Sequence, residues 1–410
     1  MKFATTGACW LLILVAQVAP AREEGRAQPA VDAGARGTSV VDRVVHDLCG
    51  KRVALLGEPP MHGFGRTLQF KVDVARRLVD ECGYNAFFIE SGAYDFLRIQ
   101  KELKSRREVG EPMIAAAIGG LWANRDVEPL VLFLLRKVRS GALLLGGLDD
   151  QLGRGSYAQR EMAGDLVRYL QGEDKVKCLA ILERHTLWQY GSDAPYGPKD
   201  KALILGCLAT IERRLSAASD PGAGEYDLAM VENLKRMFAR DFDEDAQQGG
   251  DLNARRFNQR DESMYLNFRW WMEHAPPRPK VIVWTATTHA ARDLSQVPGQ
   301  GNLVPLGSYV RREFKDDAFV LGFSASSGTY AMAGQRARVL SAAPPGSLES
   351  RAFGSDEAEP RYFDPSQIRA LGPIPARPLG QDFKTVKWED VLDGLVVFRE
   401  ERPPLTAPVS

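Results

Sequence analysis

Four short apolar runs, each closing on a carboxylate or an imidazole, set what this chain can fold into. Residues 52–57 (RVALLG) are followed at once by Glu58 and then by His62. Residues 85–90 (NAFFIE) end in Glu90, residues 142–150 (ALLLGGLDD) end in Asp149 and Asp150, and residues 280–289 (KVIVWTATTH) end in His289. A short, unbroken apolar run between turn residues is the pattern of a strand buried on both faces, as in a parallel sheet. Residues 67–82 carry Phe70, Val74, Leu78 and Cys82 at steps of four, one face of a helix, and Gly83 suits its C-cap. Strand, helix and strand in that span make a βαβ unit. Ligand sites of open parallel sheets lie beyond the carboxyl ends of the strands, where the four polar groups fall.

The predicted fold is α/β, a parallel sheet core with flanking helices. Residues 317–328 and 393–400 supply two further strand patterns, and 344–377, rich in Pro and charge, reads as an irregular excursion. Residues 157–274 are helical in pattern without a clear strand. They predict a large helical insertion, about 155–275, forming one wall of an active-site cleft. Lys+Arg equals Asp+Glu at 53 each, which gives no basic excess for a nucleic-acid partner. The N-terminus has one Lys, a short apolar run and Ala19-Pro20-Ala21, the order of a secretory signal. Removal of residues 1–21 is expected, followed by a disordered leader at 22–38 and one domain over 39–410. The apolar run is too short for a stable membrane span, so the expected location is periplasmic or secreted. Four cysteines remain after Cys9. In an oxidising compartment they can pair, and Cys49–Cys82 with Cys178–Cys207 is favoured over four buried thiols. The first pair precedes a strand at each member and so falls on the amino-terminal edge of the sheet.

His62 lies among Pro60, Gly63 and Gly65, and an imidazole there can take a proton from water. Glu58 and Glu90 are placed to orient it. The alternative is a polar turn, which is weakened by the matching groups at the other strand ends. His289 reads either as a second proton carrier or oxyanion ligand, or as a helix-cap histidine. Lys71 reads as a helix-surface cation or as a partner for Glu90. Arg260 and Asp261 are read at the start of a helix, where Asp suits the dipole and Arg does not, which suggests anion binding by Arg260. No GxSxG, GxxxxGK[ST] or HExxH pattern is present, and no cofactor is expected.

The ordered set "LLGEPPMHG", Lys71, "YNAFFIE", "GGLWANRDVEPLVLFLL", "LLLGGLDDQ", "RDESMYLNFRWW", "VIVWTATTH" and "PLGSYVRREFKDDAFVLGFSASSGTY" resembles the erythromycin esterase family. The resemblance implies hydrolysis of a small-molecule ester or lactone by histidine-activated water, without a covalent intermediate. It implies His62 as base, Glu58 and Glu90 as its tuning carboxylates, and Lys71, Arg260 and His289 as oxyanion stabilisers. The family's GE-x-x-H is GE-x-x-x-H here, and its W-x-H-N-x-H is Trp284-Thr285-Ala286-Thr287-Thr288-His289. Two other readings stay open: a non-catalytic binding protein that keeps the cleft, and metal-assisted hydrolysis with His62, Glu58, Glu90 and His289 as ligands.

Overall fold

The computed structural model of the chain describes residues 39–406 apart from 192, 218–220, 243–250 and 354–358. The expected signal sequence and leader lie outside the described residues. Among the described residues ten strands occur in chain order: β1 Val53–Glu58, β2 Ala86–Gly92, β3 Leu144–Asp149, β4 Val281–Ala286, β5 Ala318–Tyr330, β6 Arg338–Leu340, β7 Arg361–Phe363, β8 Pro373–Ala376, β9 Lys384–Lys387 and β10 Gly394–Glu401. The main sheet runs β3-β2-β4-β1-β5-β10-β7, with β6 paired to β5. From β3 to β10 every neighbour is parallel, and only β6 and β7 join antiparallel. Every residue of β1 and β4 is buried, as strands covered by helices on both faces must be.

Flanking helices include Val40–Cys49, Gly65–Cys82, Ala93–Lys104 and Glu128–Arg139. Between β3 and β4 the chain is helical throughout its named elements, from Tyr157–Arg160 to Leu252–Glu273. The last of these corrects the sequence reading. Asp251 caps it, accepting from the Ala254 N–H at 3.1 Å, so Arg260 and Asp261 lie mid-helix rather than at its start. The 344–377 stretch is also more regular than its composition suggested, holding the helices Leu348–Arg351 and Pro365–Leu371 with β7 and β8. Among the described residues no helix is long and apolar enough to cross a membrane.

Register decides where the strand ends meet. Glu58 pairs with Ala286 and Ile89 with Trp284, so Glu58 and Glu90 flank the end of β4. That strand stops at Ala286, three residues short of His289, and Thr287–Ala290 forms one helical turn. The turn folds over the end of β1. A Cβ on Gly57 would lie 2.7 Å from the Thr287 Cα, so only glycine admits the approach, and the Thr287 hydroxyl donates to the Glu58 carbonyl at 3.1 Å.

At the opposite edge, Cys49 and Cys82 end the helices before β1 and β2 and are bonded, Cα–Cα 5.0 Å. Lys280, just before β4, donates to the Cys49 and Cys82 carbonyls at 2.5 and 2.7 Å. Cys178 and Cys207 are bonded between the helices Gly172–Thr186 and Pro198–Ser216.

Candidate active site

Glu58 is the hub of the first half of the site. It is 1 % exposed and its two oxygens take three donors. Oε1 accepts from His62 Nδ1 at 2.7 Å and from Trp122 Nε1 at 2.6 Å, and Oε2 accepts from the Lys71 ammonium. Burial would raise this carboxyl, but Lys71 and His62 overcome it and hold it below the ordinary value. Lys71 is 0 % exposed. It sits 4.0 Å from the centre of the Trp284 ring and beside the Thr285 carbonyl. Desolvation drops its pKa to about 8 against the pull of Glu58. The lysine is therefore neither a surface cation nor a group that can reach a substrate, because Glu58 lies over it.

The extra residue in GE-x-x-x-H is absorbed by a turn. The His62 N–H bonds to the Pro59 carbonyl at 3.0 Å, and His62 itself takes the left-handed region at φ 51°. A side chain there costs ~1–2 kcal/mol relative to right-handed backbone. The turn returns the imidazole to Glu58, edge-on to Trp122 with ring centres 5.0 Å apart. A carboxylate needs a donor, so Nδ1 carries the hydrogen. Nε2 makes no hydrogen bond with any described residue.

The second half gathers on Arg260. Its guanidinium donates to Asp149 (Nη2–Oδ2 2.6 Å) and to Glu90 (Nη2–Oε1 3.2 Å), and Nη1 lies 3.3 Å from His289 Nε2. Glu90 also accepts from the Thr285 hydroxyl at 2.7 Å and the Ala286 N–H at 2.9 Å. Burial opposes its charge, but His289, His62, Arg260 and that N–H hold it far below the usual carboxylate range. His289 Nδ1 is 2.9 Å from both oxygens of Asp261, which is 0 % exposed, and Phe257 stacks on the ring. Desolvation works against the imidazolium. Asp261 and Glu90 outweigh it, so His289 keeps its proton to higher pH than an ordinary histidine.

Glu90, Asp149, Arg260 and Trp122 line an open cleft of about 440 Å³, walled by 118–121 and 151–154. Of the six residues singled out from sequence, Glu58, His62 and Lys71 form one cluster and Glu90, Arg260 and His289 the other. Trp122, Asp149 and Asp261 join the two clusters but are assigned no role from the sequence. Asp149 did stand at a strand end, and Trp122 within the quoted "GGLWANRD". Among the described residues no group of His, Cys, Asp and Glu could hold a metal ion. Lys71 and Arg260 supply the cations beside Glu58 and Glu90 instead, so metal ligation by His62, Glu58, Glu90 and His289 lacks the convergent donors it needs.

The chain is similar to several known proteins. A putative hydrolase, YbfO of Bacillus subtilis (strain 168), is 23% identical over 330 residues, 75% of this chain and 73% of its own length. A solved succinoglycan biosynthesis protein overlays with TM-score 0.64 at 12% identity, covering 90% of this chain and 92% of the other. A Bacillus cereus protein gives 0.62 at 14% identity, covering 90% and 93%. A mutant of the erythromycin esterase EreC, in its open conformation, gives 0.57 at 14%, covering 90% and 95%. These structural likenesses establish the fold. The sequence profile of the erythromycin esterase family matches residues 79–371, most of the chain, and the chain therefore belongs to that family.

Proposed function

We propose that the protein is an exported hydrolase that cleaves a carboxylic ester or lactone with water activated by His62. The observation that carries this reading is the state of the two imidazole nitrogens. Nδ1 is held by a buried, ionised Glu58, and Nε2 has no partner among the described residues. A histidine so held can accept a proton from water. The water oxygen adds to the ester carbonyl carbon as its proton passes to Nε2. The resulting oxyanion is stabilised by Arg260 and the His289 imidazolium, both in or beside the cleft. Collapse breaks the acyl–oxygen bond, and the departing alkoxide takes the proton back from His62. Lys71 serves this scheme from below, as the counter-ion that keeps Glu58 charged. Glu90 and Asp149 fix the guanidinium of Arg260. Export is supported by the N-terminal pattern and by two disulfides, which persist in oxidising compartments.

The test is a panel of carboxylic esters, lactones and matched amides offered to the full chain. Turnover of at least one ester or lactone is expected. Binding without turnover, read as a ligand-raised melting temperature, would favour a non-catalytic binding protein with the same cleft.

Asp261 gives a pH prediction. Asp261→Asn removes the nearest charge that raises the His289 pKa. Activity that needs the imidazolium is lost as pH rises through that pKa. The alkaline limb of kcat/KM against pH should therefore move to lower pH in the variant. An unmoved limb would remove His289 from the charge-stabilising role.

A further inference from the structure

The chain from Glu401, the last residue of β10, onward lies outside the span matched by the family profile, yet it ties together the two segments that hold Glu58. On one side it grips the start of the helix Gly65–Cys82. The Gly65 N–H donates to the Arg402 carbonyl at 2.8 Å, and the Glu401 carboxylate accepts from the Arg66 and Thr67 N–H groups at 3.0 and 2.8 Å. A Cβ on Gly65 would lie 2.6 Å from the Pro403 carbonyl oxygen, so the backbones are in direct contact. This helix start follows His62 by three residues.

On the other side the same segment grips residues 124–126. Arg402 makes a two-pronged ion pair with Asp126 at 2.9 and 2.7 Å. The Leu405 N–H donates to Asp126 at 2.9 Å, the Arg125 N–H donates to the Leu405 carbonyl at 2.9 Å, and Asn124 bridges to Thr406. Two residues before Asn124 stands Trp122, whose indole shares Glu58 Oε1 with His62. Asp126 is 7 % exposed while the Arg402 side chain is half-buried, so the carboxylate is shielded and the two-pronged contact is geometrically strict.

We infer that Arg402, through Asp126, is a positioning residue that sets His62 and Trp122 in register around Glu58. The inference rests on His62 being the base. Arg402 never touches substrate. Its effect is on where the imidazole points, and a misplacement of ~1 Å at a reacting group can cost ~100-fold.

The test compares Arg402→Ala and Arg402→Lys with Lys101→Ala, which breaks an ion pair to Asp227 in the helical stretch between β3 and β4 and serves as a stability control. Arg402→Ala should lower kcat by ~10- to 100-fold with KM little changed. Arg402→Lys should recover only part, because an ammonium cannot reproduce the two-pronged contact. The Trp122 indole N–H resonance, assigned by its loss in Trp122→Phe, should shift in Arg402→Ala and stay put in Lys101→Ala. If Arg402→Ala does not fold, a chain lacking residues 405–410 keeps Arg402 but loses the Leu405 and Thr406 contacts, and should show the same changes to a smaller degree. An unmoved indole resonance, or a kcat loss no greater than that of Lys101→Ala, overturns the inference. Should the parent chain hydrolyse no ester, the catalytic reading fails, while the resonance still decides the positioning claim.

Discussion

His62→Ala is expected to lose about 10²–10⁴-fold in turnover on the best ester or lactone while keeping the parent fold. That range is the usual worth of a positioned general base. The loss should fall on kcat, because the imidazole acts on water rather than on substrate binding. Stability should fall by ~1–3 kcal/mol at most, the cost of one partner lost to a buried carboxylate that keeps Lys71 and Trp122 as donors. The backbone supplies a second check. His62 sits at φ 51°, where glycine is at ease and alanine is not. His62→Gly should be as inactive as His62→Ala but more stable, by up to ~1 kcal/mol. Melting curves beside saturating turnover rates measure both. Parent-like turnover in either variant would remove the loop from catalysis.

Lys71→Met is expected to cost about 3–5 kcal/mol, the usual price of removing one partner from a buried ion pair. The ammonium and the Glu58 carboxylate are both fully buried, so neither can turn to water when the other is lost. Glu58 would then be governed by burial, which raises its carboxyl, and would take up a proton. The sign follows. In the parent the folded-state pKa of Glu58 is depressed, so its contribution is present above the unfolded value of ~4.3 and lost as pH falls through the folded value. The gap between parent and variant should narrow as pH is lowered towards that range. Adding Glu58→Gln should recover stability, because no unpaired charge remains, but not activity, because His62 loses its carboxylate. Denaturant unfolding at several pH values reads the first claim and turnover the second. A stability equal to the parent at neutral pH would contradict the buried pair.

The sheet was legible because strands covered on both faces must be apolar throughout, and β1, β2, β3 and β4 each announced themselves as short runs. The rule that ligand sites gather at carboxyl ends then pointed to Glu58, Glu90 and Asp149 without any knowledge of strand order. What failed to show was contact across distance. Trp122 meets Glu58 over a separation of 64 residues, and Arg402 meets Asp126 over 276. No local pattern encodes either. Asp261 was hidden differently, since an acidic residue near an assumed helix start has an ordinary explanation, and the true start lies at Leu252. Lys71 did leave a trace. It falls with Leu68, Ala75 and Leu78 on the buried stripe of its helix, and a lysine in an apolar stripe signals a buried partner more than a solvated face.

In the proposed reaction, water held by His62 attacks the acyl carbon directly. Single-turnover hydrolysis with enzyme in excess, in water enriched in oxygen-18, tests it. Direct attack places one heavy oxygen in the carboxylate product of the first turnover and none in the protein. Heavy oxygen in the peptides that carry Glu58 or Glu90, with product from that turnover left unlabelled, would mean that a carboxylate was the nucleophile and would contradict the account.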